Sequence, residues 1–91
     1  MITDFHGEET LKVWSGEFSR RLPNQIQEVA RRKLRMLHNV QRIEDLRIPP
    51  NNRLENLKGK RAGQWSIRIN DQWRVCFVWN DGQVSRVEIC D

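Results

Sequence analysis

Between Gln64 and Trp79 apolar residues recur at every second position on either side of a polar turn. Trp65, Ile67 and Ile69 precede the polar cluster Asn70-Asp71-Gln72, and Trp73, Val75, Phe77 and Trp79 follow it. Period-two alternation interrupted by turn residues predicts two antiparallel strands. These seven side chains share one face only if the loop has an odd number of residues, most simply three. That register sets Ile69 opposite Trp73 and, on the other face, Arg68 opposite Arg74. Like charges directly opposed are unfavourable. Either the two exposed side chains splay into water, where charge interactions are weak, or an anion sits between them.

Elsewhere the period changes. Pro23 suits the first turn of a helix, and Ile26, Val29, Ala30, Leu34 and Leu37 then follow at helical spacing, which predicts a helix through Asn39. Arg31, Arg32 and Arg35 fall mostly outside that stripe, as on a solvated face. A shorter helix is expected over Glu8 to Ser15, stopped at Gly16, and a helical turn near Ile43 to Leu46. Met1 to Phe5 reads as a short edge strand, Leu54 to Leu57 as another, and Gln83 to Ile89 as the last. The prolines of IPPNNR predict an extended loop, GKRAG a turn, and Asn80-Asp81-Gly82 a hairpin turn. One strand, two helices and four further strands make an α+β domain, expected to be a single domain over residues 1–91. The helices are expected to cover the Trp65, Trp73 and Phe77 face, leaving Ser66, Arg68, Arg74 and Cys76 on an open one.

Composition narrows the function. An apolar fraction of 37% with 31% charged residues suits a globular chain. No apolar run reaches membrane-spanning length, and MITDFHGEET lacks the regions of a signal peptide. Cys76 and Cys90 form no metal-binding pattern, and reduced thiols with a cytoplasmic location are the expectation. Sixteen basic residues, mostly arginine, against twelve acidic ones leave a net charge of +4. Arginine forks favour phosphate, so nucleic acid or another acidic surface is the expected partner. His6 and His38 have no triad partners and read as surface or capping residues. There is no glycine-rich phosphate loop, and no metal or other cofactor is expected. The remaining cluster is NRLENLKGKRAG, in which Glu55 stands among Arg53, Lys58, Lys60 and Arg61.

The segment LENLKGKRAGQWSIRINDQWRVCFVW, with VEICD closing the chain, resembles the HigB toxins of the RelE superfamily. ARRKLRMLHN and LRIPPNNRLE extend the likeness over nearly the whole sequence, and L-x-G-x-R-x-G-x-x-S-I-R-I-N and D-Q-W-R-V-C-F are its most specific parts. The resemblance implies a RelE-like fold, with an N-terminal strand and two helices packed on one face of a mainly antiparallel sheet. It also implies a ribosome-dependent endoribonuclease that cuts mRNA in the A site of the 70S ribosome. A HigA-type helix-turn-helix antitoxin would neutralise it, and the two together would repress their operator DNA. The family's catalytic position before the N-L-K-G motif corresponds to Glu55, its basic residue to Lys58, the strand arginine to Arg74 and the acidic residue near the C-terminus to Asp91. Arg53, Lys60, Arg61 and Arg68 are the expected RNA contacts. Family members commonly close on Asp-Tyr-His; here the sequence stops at Asp91.

These residues suit metal-free RNA cleavage, in which the 2′-hydroxyl attacks the adjacent phosphate. Glu55 would take the proton, while Lys58 and Arg74, supported by Arg68, would meet the developing charge. No residue stands out as the acid for the leaving group. The alternative is a non-catalytic basic module that binds RNA or the ribosome, or a corepressor acting only with the antitoxin. A metal-dependent nuclease fits poorly, because the sequence has no carboxylate cluster.

Overall fold

The computed structural model describes all residues, Met1–Asp91. Helices α1 (Glu8–Trp14) and α2 (Asn24–Asn39) precede four strands: β1 (Glu55–Asn56), β2 (Trp65–Arg68), β3 (Arg74–Asn80) and β4 (Gln83–Cys90). The strands form one antiparallel sheet in sequence order. The expected α+β architecture is present, and so is the hairpin register. Ile67 faces Val75, Arg68 faces Arg74, and the Ile69 N–H donates to the Trp73 carbonyl at 2.8 Å. The loop is held by Asn70, whose Oδ1 accepts from the backbone N–H groups of Gln72 and Trp73.

Val13, Ile26, Ala30, Leu34 and Leu37 from the helices meet Ile67, Val75, Phe77, Val84, Val87 and Ile89 from the sheet in one buried cluster. The tryptophans are less central than their alternation suggests. Trp65, Trp73 and Trp79 are half-buried at the margin of that cluster, and Phe77 is its largest fully buried side chain. Val29, counted in the helical stripe, is also only half-buried, whereas Gln27 is buried. Gln27 accepts from the Ser19 N–H and donates to the carbonyls of Ser19 and Leu22, pinning the loop between the helices. Nor is the basic face of α2 wholly solvated: Arg31 Nε donates to the Val13 carbonyl at 2.9 Å, near the C-terminus of α1.

The N-terminal segment takes the edge position expected of it, but as two isolated bridges parallel to β4, Ile2 to Val84 and Phe5 to Val87. A continuous ladder is interrupted by a bulge in β4. Cys76 pairs with Glu88 while Val78 pairs with Ser85, so β4 carries an extra residue opposite Phe77. Arg86, at φ 51°, absorbs it. The bulge lets Val84, Val87 and Ile89 all face inward despite their uneven spacing. His38 ties this edge to α2: its Nδ1 accepts from the Ile2 N–H at 3.1 Å, and its ring lies 5.2 Å from Trp14. It is a packing residue rather than a cap.

IPPNNR is not fully extended. Pro50–Asn52 form a 3₁₀ turn that ends on Arg53 at φ 44°. Asn52 is completely buried and donates to the Leu46 carbonyl at 3.1 Å, while its Oδ1 accepts from Lys33 Nζ at 2.5 Å. Burial, with a smaller contribution from Arg32, holds the Lys33 ammonium below its ordinary pKa. Asn52→Ala removes these bonds and strands buried polar groups, so a loss of about 1–3 kcal/mol is expected in denaturant unfolding.

Ser19 makes a second polar joint. Its hydroxyl donates to Glu9 Oε1 at 2.5 Å and accepts from the Arg21 and Leu22 N–H groups. That donation, opposed by burial and aided by Lys12 and Arg21, holds the Glu9 carboxyl below the usual carboxylate range. A depressed carboxylate contributes stability above its unfolded pKa and loses it as pH falls through the folded one. Acid titration of folding is therefore expected to show a decline below pH 4.5 that Ser19→Ala weakens.

Candidate active site

The short strand β1 is placed by the Asn52 joint behind it and by antiparallel pairing with β2, where Glu55 faces Ser66 across the ladder. Ser66 in turn neighbours Cys76 on β3, two residues beyond Arg74. Glu55, Ser66, Arg68 and Arg74 therefore come together on the face of the sheet away from the helices. With Arg53, Asn70 and Asp71 they line a small cleft of ≈ 100 Å³ that has no apolar residue in its wall.

Arg74 is the centre of this cleft. Its Nη1 lies 3.5 Å from Glu55 Oε2 and donates to Ser66 Oγ at 3.2 Å. Arg68 pairs with Asp71 from the hairpin loop. Each of the opposed arginines thus has its own carboxylate. Ser66 is 1% exposed and its hydroxyl is fixed, whereas Glu55 and Arg74 keep about half and two-fifths of their side chains in solvent. An exposed ion pair of this kind is weak, so an incoming phosphate can displace the carboxylate from the guanidinium.

The other predicted site residues are not gathered here. Lys58 precedes the 3₁₀ turn Gly59–Arg61, is exposed, and does not line the cleft. The bend at Gly59 therefore does not bring it beside Glu55; Glu55 pairs with Arg74 instead. Asp91 also lies outside, accepting from Gln72 Nε2 at 2.9 Å. Lys60 and Arg61 line a separate depression with Gln64, Arg86 and Glu88, in which Arg61 pairs with Glu88 at 3.2 Å. Arg53 and Arg68 do join the cleft.

Ser66, Asn70 and Asp71 are the cleft residues that sequence reasoning did not assign to the site. The register of the hairpin already put Ser66 on the arginine face, a signal that could have been followed. Asn70 and Asp71 read as turn formers, and only the folded loop brings Asp71 back to Arg68. A larger hollow of ≈ 480 Å³ opens beside α1, with His6, Glu9, Lys12, Arg21 and Glu88 in its wall. Its charges are mixed, and Glu9 is already engaged with Ser19 and Lys12. It offers no concentrated positive charge for phosphate.

The arrangement of two helices against an antiparallel sheet with a polar cleft on its open face has a counterpart among solved structures. The YoeB-YefM complex from Staphylococcus aureus matches with a TM-score of 0.56 over 97% of this chain and 95% of the other, at 17% identity, a likeness of fold. The shared fold is an α+β one, with two helices against an antiparallel sheet. More specifically, the model for the RelE-like toxin of the type II toxin-antitoxin system HigB matches residues 5–89, and the chain belongs to that family. Toxin HigB-1 of Vibrio cholerae is 48% identical over 63 residues, covering 69% of this chain and 66% of the relative. The alignable part thus falls just short of two-thirds of that relative's length. An uncharacterized protein of Haemophilus influenzae is 35% identical over 72 residues, covering 79% of this chain and 71% of its own length.

Proposed function

We propose that this toxin is a ribosome-dependent endoribonuclease that cleaves mRNA in the ribosomal A site without a metal ion. The observation that carries the reading is the Glu55–Arg74 pair, a carboxylate and a guanidinium 3.5 Å apart in a polar cleft on an accessible sheet face. As RNA enters, its phosphate takes the guanidinium and releases Glu55 to accept the proton of the attacking 2′-hydroxyl. Arg74 then meets the charge that develops on the phosphorane oxygens. Ser66 holds the arginine in position, and Arg68 and Arg53 bind the flanking backbone. Bringing the hydroxyl into line with the phosphate is left to the ribosome, which holds the message in one geometry. Cellular partners follow from this reading and from the family: the 70S ribosome and mRNA in the cytoplasm, a HigA-type antitoxin, and operator DNA through the antitoxin.

Primer extension on programmed ribosomes tests it. Wild-type protein is expected to give codon-linked cuts. Arg74→Ala, which loses a charge-assisted contact worth about 1.5–3 kcal/mol, is expected to cut roughly ten- to a hundredfold more slowly while remaining folded. Partial activity in Arg74→Lys would show that charge counts as well as the fork. A wild-type rate in Arg74→Ala would remove the arginine from the reaction.

The positions of Lys58 and Asp91 favour a second reading, since neither stands beside Glu55 as a proton donor. On that reading the basic face binds RNA or the ribosome, or supports repression with the antitoxin, without cutting. Stalled ribosomes carrying intact mRNA in the same assay would establish it.

A further inference from the structure

Next to the cleft, on the same sheet face, lie two thiols that the proposed reaction does not use. Cys76 pairs with Glu88 across β3 and β4, and Cys90 pairs with Arg74, so the cysteines are diagonal neighbours. Diagonal positions lie within reach of one another's side chains, and here the sulfurs lean together to 2.6 Å, both as free thiols. We propose that Cys76 and Cys90 are a redox modification site, a paired dithiol that a hydroperoxide converts into an intramolecular cross-strand disulfide.

The geometry asks for little movement. A disulfide holds its sulfurs at about 2.05 Å, so the two atoms need only close by roughly 0.5 Å, on strands already tied by the backbone ladder. The surroundings favour one negative charge on the pair. The hydrogen bond with Cys90 outweighs burial and, with Arg61 and Arg74 near, holds the Cys76 thiol below its ordinary pKa. The same contact, with burial, pushes the Cys90 thiol up, while Glu88 opposes ionisation of both. The two sulfurs titrate as a unit: the first proton leaves readily and the second is retained. Cys76 is 1% exposed and Cys90 is partly open, so a small oxidant meets Cys90. The resting charge lies on Cys76, and transfer of the shared proton from Cys90 to Cys76 moves it to the sulfur that solvent reaches.

The chemistry then balances. The Cys90 thiolate attacks the terminal oxygen of the hydroperoxide, forming a sulfenic acid and releasing an alcohol, or water from hydrogen peroxide, after proton uptake. The Cys76 sulfur attacks the Cys90 sulfur and expels hydroxide, which takes the remaining thiol proton and departs as water. Two thiols and one hydroperoxide give one disulfide, one alcohol or water, and one water. Disulfide formation does not depend on whether the cleft cleaves RNA.

The test uses the full chain, reduced and then treated with one equivalent of hydrogen peroxide. Expected are a monomer lighter by two hydrogen atoms in non-reducing mass spectrometry, no titratable thiol, a raised Tm, and full reversal by dithiothreitol. Cys76→Ser is expected to gain oxygen at Cys90 instead. Wild-type protein that also gains oxygen, that forms only cross-linked dimers, or that keeps both thiols would overturn the proposal.

Discussion

Replacing Glu55 by glutamine is expected to slow single-turnover cleavage on programmed ribosomes by about 10²–10⁴-fold, with little change in ribosome binding. Glutamine keeps the shape of the side chain and an oxygen beside Arg74. What it loses is the ability to take a proton from the 2′-hydroxyl. Glu55 and Asp71 are the carboxylates lining the cleft, and Asp71 sits almost entirely in solvent beside Arg68. Glu55 therefore has the better claim to the base. Quenched-flow measurement with saturating toxin separates the chemical step from binding. Equal rates for the variant and wild type would move the base role to ribosomal RNA or to the message. Arg74→Ala provides the contrast, because losing the arginine also weakens phosphate binding, whereas Glu55→Gln leaves the positive charge in place.

Phe77→Ala is expected to cost about 3–5 kcal/mol and to leave the chain largely unfolded at 37 °C. Phe77 is fully buried where the helices and the bulged β3–β4 pair meet, so its removal opens a cavity that rigid strands on either side cannot close. Domains as small as this have little stability to spare. Trp73→Ala is expected to be milder, because Trp73 is half-buried at the edge of the cluster and solvent already covers part of the ring. Circular dichroism melts of the two variants check the order. A cooperative Phe77→Ala transition near the wild-type temperature, beside an unfolded Trp73→Ala, would mean that the core is centred on the tryptophans after all.

Local pattern was enough for much of this protein. Alternation with an odd loop set the β2–β3 register, including the Arg68–Arg74 opposition, because a slip of one residue would turn every apolar side chain outward. Helical spacing located α2, and the order of elements fixed the α+β class. The motifs from Leu57 to Phe77 pointed to the toxin family that the comparison with known proteins shows. Tertiary structure decided the rest. The bulge at Arg86 depends on two strands and the N-terminal edge meeting at once, so a strand read alone does not reveal it. Gln27 and Asn52 are buried because distant backbone groups satisfy them, which no local polarity rule can anticipate. The site was assembled in the same way. Glu55 meets Arg74 and Asp71 meets Arg68, while Lys58 and Asp91 stay outside, because the pleat of three strands and the return of one loop set those distances.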